Sequence, residues 1–79
     1  MIGMLRGHVE SVDAVSAIIE VGGVGYEVRM PSADLASMHA GQEIKVYTSL
    51  NVSQDAITLF GFGTLASKRM FLQLQKVSG

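Results

Sequence analysis

The side chains in this 79-residue chain that are equipped for chemistry fall into a few groups: Gly22, Gly23 and Gly25; His8 and His39; Glu20, Glu27 and Asp55; and Arg6 and Arg29. Glycine-rich loops cradle phosphates when their backbone N–H groups lead into a helix. The dinucleotide-binding spacing needs a third glycine three residues after Gly25, and that position is Val28 in a strand-like run. No Lys-Ser/Thr pair follows either, so the glycines are read as a structural turn. A metal site takes three or four ligands with workable spacing. His8 and His39 have no cysteine to join them, and both are read as surface or rim residues. The serines lack a Gly-x-Ser-x-Gly elbow and an evident base partner. Glu20 and Glu27 alternate onto solvent-facing sides of strands. No catalytic constellation emerges, and no cofactor or metal is expected.

Arg6 and Arg29 have the chemistry to contact phosphates, and equally to pair with Glu27 or Glu20 across strands. Asp55, preceded by Gln54, reads from its neighbours as a turn residue satisfying its own backbone. Lys68, Arg69 and Lys76 read as the solvated face of a helix, and Met4, Met30, Met38 and Met70 as core or interface filler.

The elements that must carry these residues are organised around Ile18–Pro31. Val15, Ala17, Ile19 and Val21 alternate with Ala14, Ser16, Ile18 and Glu20, and Val24, Tyr26, Val28 and Met30 alternate with Gly25, Glu27 and Arg29. This period of two predicts a hairpin with one face in a core, turning at Gly22-Gly23. Pro31 ends its ladder for want of an N–H. Before it, residues 1–10 predict a first strand. Gly3 and Gly7 mark a bulge or sharp coil in it, as in small barrels where one strand serves two sheets. Ser11-Val12-Asp13 predicts the turn out of that strand. Residues 31–39 predict a short helix with Leu35 and Met38 facing the core, and Ala40-Gly41-Gln42 a turn. In 43–52, Ile44, Val46, Thr48, Leu50 and Val52 line one side of a strand and Lys45, Tyr47, Ser49 and Asn51 the other. Ser53–Ala56 is a polar hairpin tip, and 57–62 returns as a fifth strand. From Thr64, a plausible N-cap, Met70, Phe71, Leu74 and Val77 fall on a helical stripe.

The expected fold class is therefore mainly β: a five-stranded oligonucleotide/oligosaccharide-binding (OB) barrel with a short helical turn, followed by one C-terminal α-helix. An SH3-like barrel competes, and the pattern does not separate the two. A chain this short buries only about 60% of its unfolded surface. With 48% hydrophobic against 16% charged residues, some apolar surface is expected to be covered by a partner or another copy. The net charge of −1 is spread without a basic stripe, which argues against independent tight binding to a polyanion. There is no cysteine, no apolar run long enough to span a membrane and no signal-peptide pattern at the start. A cytoplasmic protein is expected.

Three separated motifs, in order and spanning the chain, carry a resemblance: 1–7 (MIGMLRG), 20–28 (EVGGVGYEV) and 55–62 (DAITLFGF). They resemble the RuvA family, the Holliday-junction-binding subunits of the bacterial branch-migration machine. The resemblance implies that residues 1–63 are an OB barrel. Residues 64–79 would be the first helix of a helix-hairpin-helix domain, cut at the first glycine of its Gly-x-Gly hairpin, so that the chain is an N-terminal fragment. It implies a non-catalytic DNA-binding scaffold, active in recombination, DNA repair and the SOS response. Its partners would be four-way-junction DNA, the RuvB ATPase motor and the RuvC resolvase, and it would assemble as a homotetramer, single or doubled to an octamer. Most phosphate contacts in the family come from the helix-hairpin-helix motifs, whose edge here is Ser78 and Gly79. Arg29 and Arg6 are candidates for further DNA backbone contacts. Gln54 and Asp55 occupy the positions of the family's acidic pin, where two acidic residues are common and this chain has one. The alternative is a small OB or SH3-like barrel that serves only protein–protein assembly.

Overall fold

A computed structural model describes residues 2–78, with side chains over 2–76. The chain runs β1 (Met4–Val12), β2 (Ser16–Val21), β3 (Val24–Arg29), α1 (Ser32–Ala36), β4 (Glu43–Val52), β5 (Ile57–Phe62) and α2 (Leu65–Ser78). The strands close into a barrel in the order β1-β2-β3-β5-β4. All pairings are antiparallel except β3 with β5, which runs parallel through Val28↔Leu59 and Arg29↔Phe60. That order, with a helix inserted between β3 and β4, is the OB arrangement and decides against the SH3-like alternative.

Two strands change partner midway, and this is what closes the barrel. Met4–His8 of β1 pairs with β4, whereas its second half, from His8, pairs with β2. On β4, Tyr47 is opposite Met4 on one side and Phe62 on the other. At the crossing on β1 stands Gly7. A Cβ there would lie 2.1 Å from the Glu20 carbonyl oxygen and 2.9 Å from a Val21 methyl, so any side chain would push β1 off β2. The coil expected at a glycine is thus at Gly7, but the register irregularity is not: it falls between Val9 and Ser11. Both backbone groups of Val9 are taken by the turn before β4, its N–H by Gln42 O at 2.9 Å and its carbonyl by Gly41 N–H at 2.7 Å. The extra residue lets β1 run on, with Ser11 opposite Ile18 and Val12 opposite Ala17. The turn expected at residues 11–13 is accordingly displaced to Asp13–Val15, closed by Asp13 N–H to Ser16 O at 2.7 Å.

The central hairpin forms as the sequence pattern requires. Gly22 and Gly23 have φ of +58° and +89°, a conformation that twists with the strands and excludes most side chains. The Glu20 carboxylate accepts the Gly23 N–H at 2.6 Å, which ties the turn to the strand before it.

Inside, Val9, Ile19, Val28, Val46 and Thr48 are completely buried, and Ala17, Met30, Leu35, Met38 and Leu59 surround them. The Thr48 hydroxyl donates to Ile2 O at 2.9 Å, so this buried polar group is satisfied. Three residues expected in the core are exposed instead: Val15 (55%), Val24 (52%) and Val52 (69%). Each obeys its strand's alternation but sits at or beyond a strand end, where no opposite wall remains. Ser16, expected toward solvent, is buried, with its hydroxyl donating to the Glu27 carboxylate at 3.4 Å. Of the methionines read as filler, Met30 and Met38 are in the core, whereas Met4 and Met70 are exposed.

Gly7→Ala is expected to destabilise the barrel by about 1–3 kcal/mol or more, the usual range for forced overpacking. Urea unfolding followed by circular dichroism measures it, and an unchanged midpoint would contradict the tight crossing of β1 over β2.

Candidate nucleic-acid interface

The β4–β5 hairpin extends past the barrel wall. Its last rung, Val52↔Ile57, is 69% and 72% exposed, and Ser53, Gln54, Asp55 and Ala56 beyond it are all exposed. Ser53 holds the tip closed. Its N–H donates to Ala56 O at 2.8 Å, its hydroxyl donates to the same oxygen at 3.1 Å, and the Ala56 N–H donates back to that hydroxyl at 3.2 Å. Gln54 and Asp55 therefore occupy the two middle positions of a small closed loop. The side chain that satisfies the turn's backbone is that of Ser53, which leaves the Asp55 carboxylate directed to solvent as a charge on a narrow projection. Exposed charge acts over roughly 8 Å at physiological salt, so this tip influences only groups brought against it.

The two arginines lie elsewhere and apart. Arg6, on β1, faces Lys45 of β4 across the ladder, and the Lys45 ammonium sits 5.3 Å from the centroid of the Tyr47 ring. Arg29, on β3, faces Ser16 on β2 and runs beside Phe60 on β5. The register thus places no carboxylate opposite either arginine, and the cross-strand pairing with Glu20 or Glu27 weighed from the sequence does not arise there. Arg29 lines a cleft of about 300 Å³ with Val15, Pro31, Phe60, Phe62 and Phe71. It also borders a second cleft that reaches Ile57 and Glu27. β2 separates the two arginine-bearing strands, so the barrel offers an anionic tip and two separate cationic positions, Arg6 with Lys45 and Arg29, not one composite site. Ser78 and Gly79 lie outside the residues whose side chains are described.

His8 stands opposite Glu43 and Glu20 on exposed strands, and the backbone N–H of His39 donates to Gln42 Oε1 at 2.9 Å. Among the described residues no group of three His, Asp or Glu side chains is placed to hold a metal ion, and no helix is long and apolar enough to cross a membrane.

The join between barrel and α2 was not anticipated. Phe60 and Phe62 stand on the outer face of β5, alternating with the core-facing Leu59 and with Gly61. The Phe71 ring of α2 packs against both, with centroids 5.1 and 5.0 Å apart. Two aromatics on the outer face of a strand were the available signal that another element covers it. Phe71 is half-buried, whereas Met70 and Leu74 of the same expected stripe are largely exposed. Thr64 caps the helix as expected, accepting the Ser67 N–H at 3.1 Å. The Asp34 carboxylate of α1 accepts the Gly63 N–H at 3.1 Å, a contact with no local sequence signature.

Residues 1–61 match the model of the RuvA N-terminal domain family. Similar proteins include the Holliday junction branch migration complex subunit RuvA of Bifidobacterium animalis subsp. lactis, 70% identical over all of this chain and 38% of that protein. The subunit of the same name from Corynebacterium diphtheriae is 47% identical over the whole chain and 39% of its own length. That from Methylococcus capsulatus is 41% identical over the whole chain and 40% of its own length. The chain thus spans 38–40% of the length of these curated relatives.

Ser53→Ala is expected to cost about 0.5–1.5 kcal/mol, the net worth of a lost hydrogen bond, and to speed amide exchange at Ala56 while the barrel amides stay protected. Hydrogen exchange by NMR reads both, and an unchanged Ala56 rate would contradict the role of Ser53 as the clasp of the tip.

Proposed function

This chain belongs to the RuvA family, as its N-terminal domain, and we propose that it serves within a longer protein as the barrel of a scaffold that recognises four-way DNA junctions and supports branch migration. The observation that carries the reading is the projecting β4–β5 tip with an exposed Asp55 in its loop on a chain of this family. In a homotetramer, single or doubled to an octamer, four such tips meet at the centre of the junction. Their carboxylates repel phosphates there, which separates strands at the crossover and disfavours continuous duplex through it. With Gln54 in the neighbouring position, each tip carries one formal charge, so the central repulsion is half that of a two-acid pin.

The grip on the arms belongs to sequence beyond the barrel. Residues 64–79 begin a helix-hairpin-helix domain, in which backbone N–H groups at a glycine turn hold phosphates. Ser78 and Gly79 are the edge of that glycine turn in the sequence. Arg29 and Arg6 add backbone contacts from the barrel wall. The scaffold is non-catalytic and needs no cofactor: the RuvB motor hydrolyses ATP, and the RuvC resolvase acts on the same junction. The setting is the cytoplasm, in recombination and in DNA repair, including the SOS response. The absence of a basic stripe from this chain's sequence is in keeping with a grip located elsewhere.

The test is a band-shift comparison with the whole protein. A preference for a four-way junction over linear duplex of the same arm sequence is expected, and equal or absent binding would leave only the assembly-module reading. Asp55→Asn in the whole protein is expected to tighten junction binding by a few-fold, since an exposed charge contact is worth about 0.2–1 kcal/mol. Unchanged or weaker binding would contradict the repulsive role.

A further inference from the structure

The Asp34 carboxylate reaches from the barrel to the start of α2, and the geometry points to Asp34 as a positioning residue that fixes the angle at which α2 leaves the barrel. A helix N-terminus lacks internal hydrogen-bond acceptors. Its first N–H groups have no partner within the helix, and the positive end of its dipole favours a nearby negative charge. The first turn of α2, starting at Leu65, contains no acidic residue. Thr64 satisfies one donor. The Gly63 N–H, immediately before that cap, is satisfied from a distance of 29 residues in sequence by Asp34 Oδ2 at 3.1 Å.

Asp34 can hold a direction because its own element is anchored. α1 is short, but its Leu35 and the following Met38 are buried in the barrel core, and the Asp34 and Leu35 N–H groups donate to Pro31 O. Gly63 in turn permits the approach: a Cβ on it would lie 3.2 Å from Asp34 Oδ1, tighter than a relaxed contact. A second contact, Phe71 between Phe60 and Phe62, lies about two turns farther along α2. One contact at the helix start and one along its length define an axis, whereas either alone leaves a pivot. The barrel and α2 therefore move as one body. On the reading of the preceding subsection, on which this consequence rests, whatever follows α2 is held at a set separation from the Asp55 tip.

The test needs no DNA, so its outcome is independent of the junction reading. Spin labels are placed through Val24→Cys on the barrel and Gln73→Cys on α2, in a chain that has no other cysteine. Labelled chain is diluted into unlabelled chain, and the distance distribution is measured by pulsed electron resonance. Asp34→Ala is expected to broaden the distribution at least two-fold with the thermal unfolding of the barrel unchanged. Asp34→Asn, which keeps an acceptor oxygen, is expected to preserve most of the narrow distribution. A distribution for Asp34→Ala as narrow as that of the unaltered chain would overturn the proposal. So would an Asp34→Asn chain as broad as Asp34→Ala, because the acceptor would then not be what holds the helix.

Discussion

Everything in this small barrel depends on two strands that each hand over from one neighbour to another without a break. β1 leaves β4 for β2 at His8, and β4 leaves β1 for β5 at Tyr47. The first handover is possible only because Gly7 lets the backbone of β1 lie against the Glu20 carbonyl. Without it the sheet would stay open, with an unpaired edge of the kind that recruits other chains. Closure also removes the need for disulfides in a cysteine-free chain, because each strand then packs side chains against an opposite wall. The completely buried Val9, Ile19, Val28 and Val46 come from four different strands.

The same constraint creates the tip that we propose meets the junction. Having met β1 over its first half, β4 continues with only β5 for company, and the two strands run out beyond the wall as a free hairpin. Its last apolar rung, Val52↔Ile57, has nothing across from it and is exposed for that reason. The tip is then shaped by Ser53, which leaves Asp55 with no backbone to satisfy. A carboxylate mounted in this way costs the fold little and acts by repulsion at short range, which suits a wedge better than a clamp. The clefts beside Arg29 carry too little positive charge to serve as a clamp themselves. Apolar surface is left exposed on α2 and at the strand ends, the kind of surface that a partner covers.

Much of this was legible from the residues, and the exceptions have definite causes. The β2–β3 hairpin was readable because Gly22-Gly23 and period-two alternation report the same local geometry. The tip was readable because Ser53–Ala56 is polar between two alternating runs. The bounds of β1 were misread because a bulge adds a residue without altering composition, so the pairing slips past the polar Ser11. Val15, Val24 and Val52 were assigned to the core because alternation gives the face of a strand but not where the opposite wall stops. At the candidate site, the positions of Gln54, Asp55, Arg6 and Arg29 on tip and strands follow from the pattern, whereas the register opposite each arginine does not. The Asp34–Gly63 bond joins residues 29 apart, and nothing local marks it.

On the proposed reading these residues supply a projecting anionic tip on a closed barrel, and the grip on DNA lies in other parts of the whole protein. The most direct measurement is a fluorescence anisotropy titration of residues 1–79 alone against a labelled four-way junction at physiological ionic strength, since salt governs any phosphate-dependent affinity. Weak or undetectable binding, with no preference over duplex, is the predicted result. Tight, junction-selective binding by this chain would contradict the account.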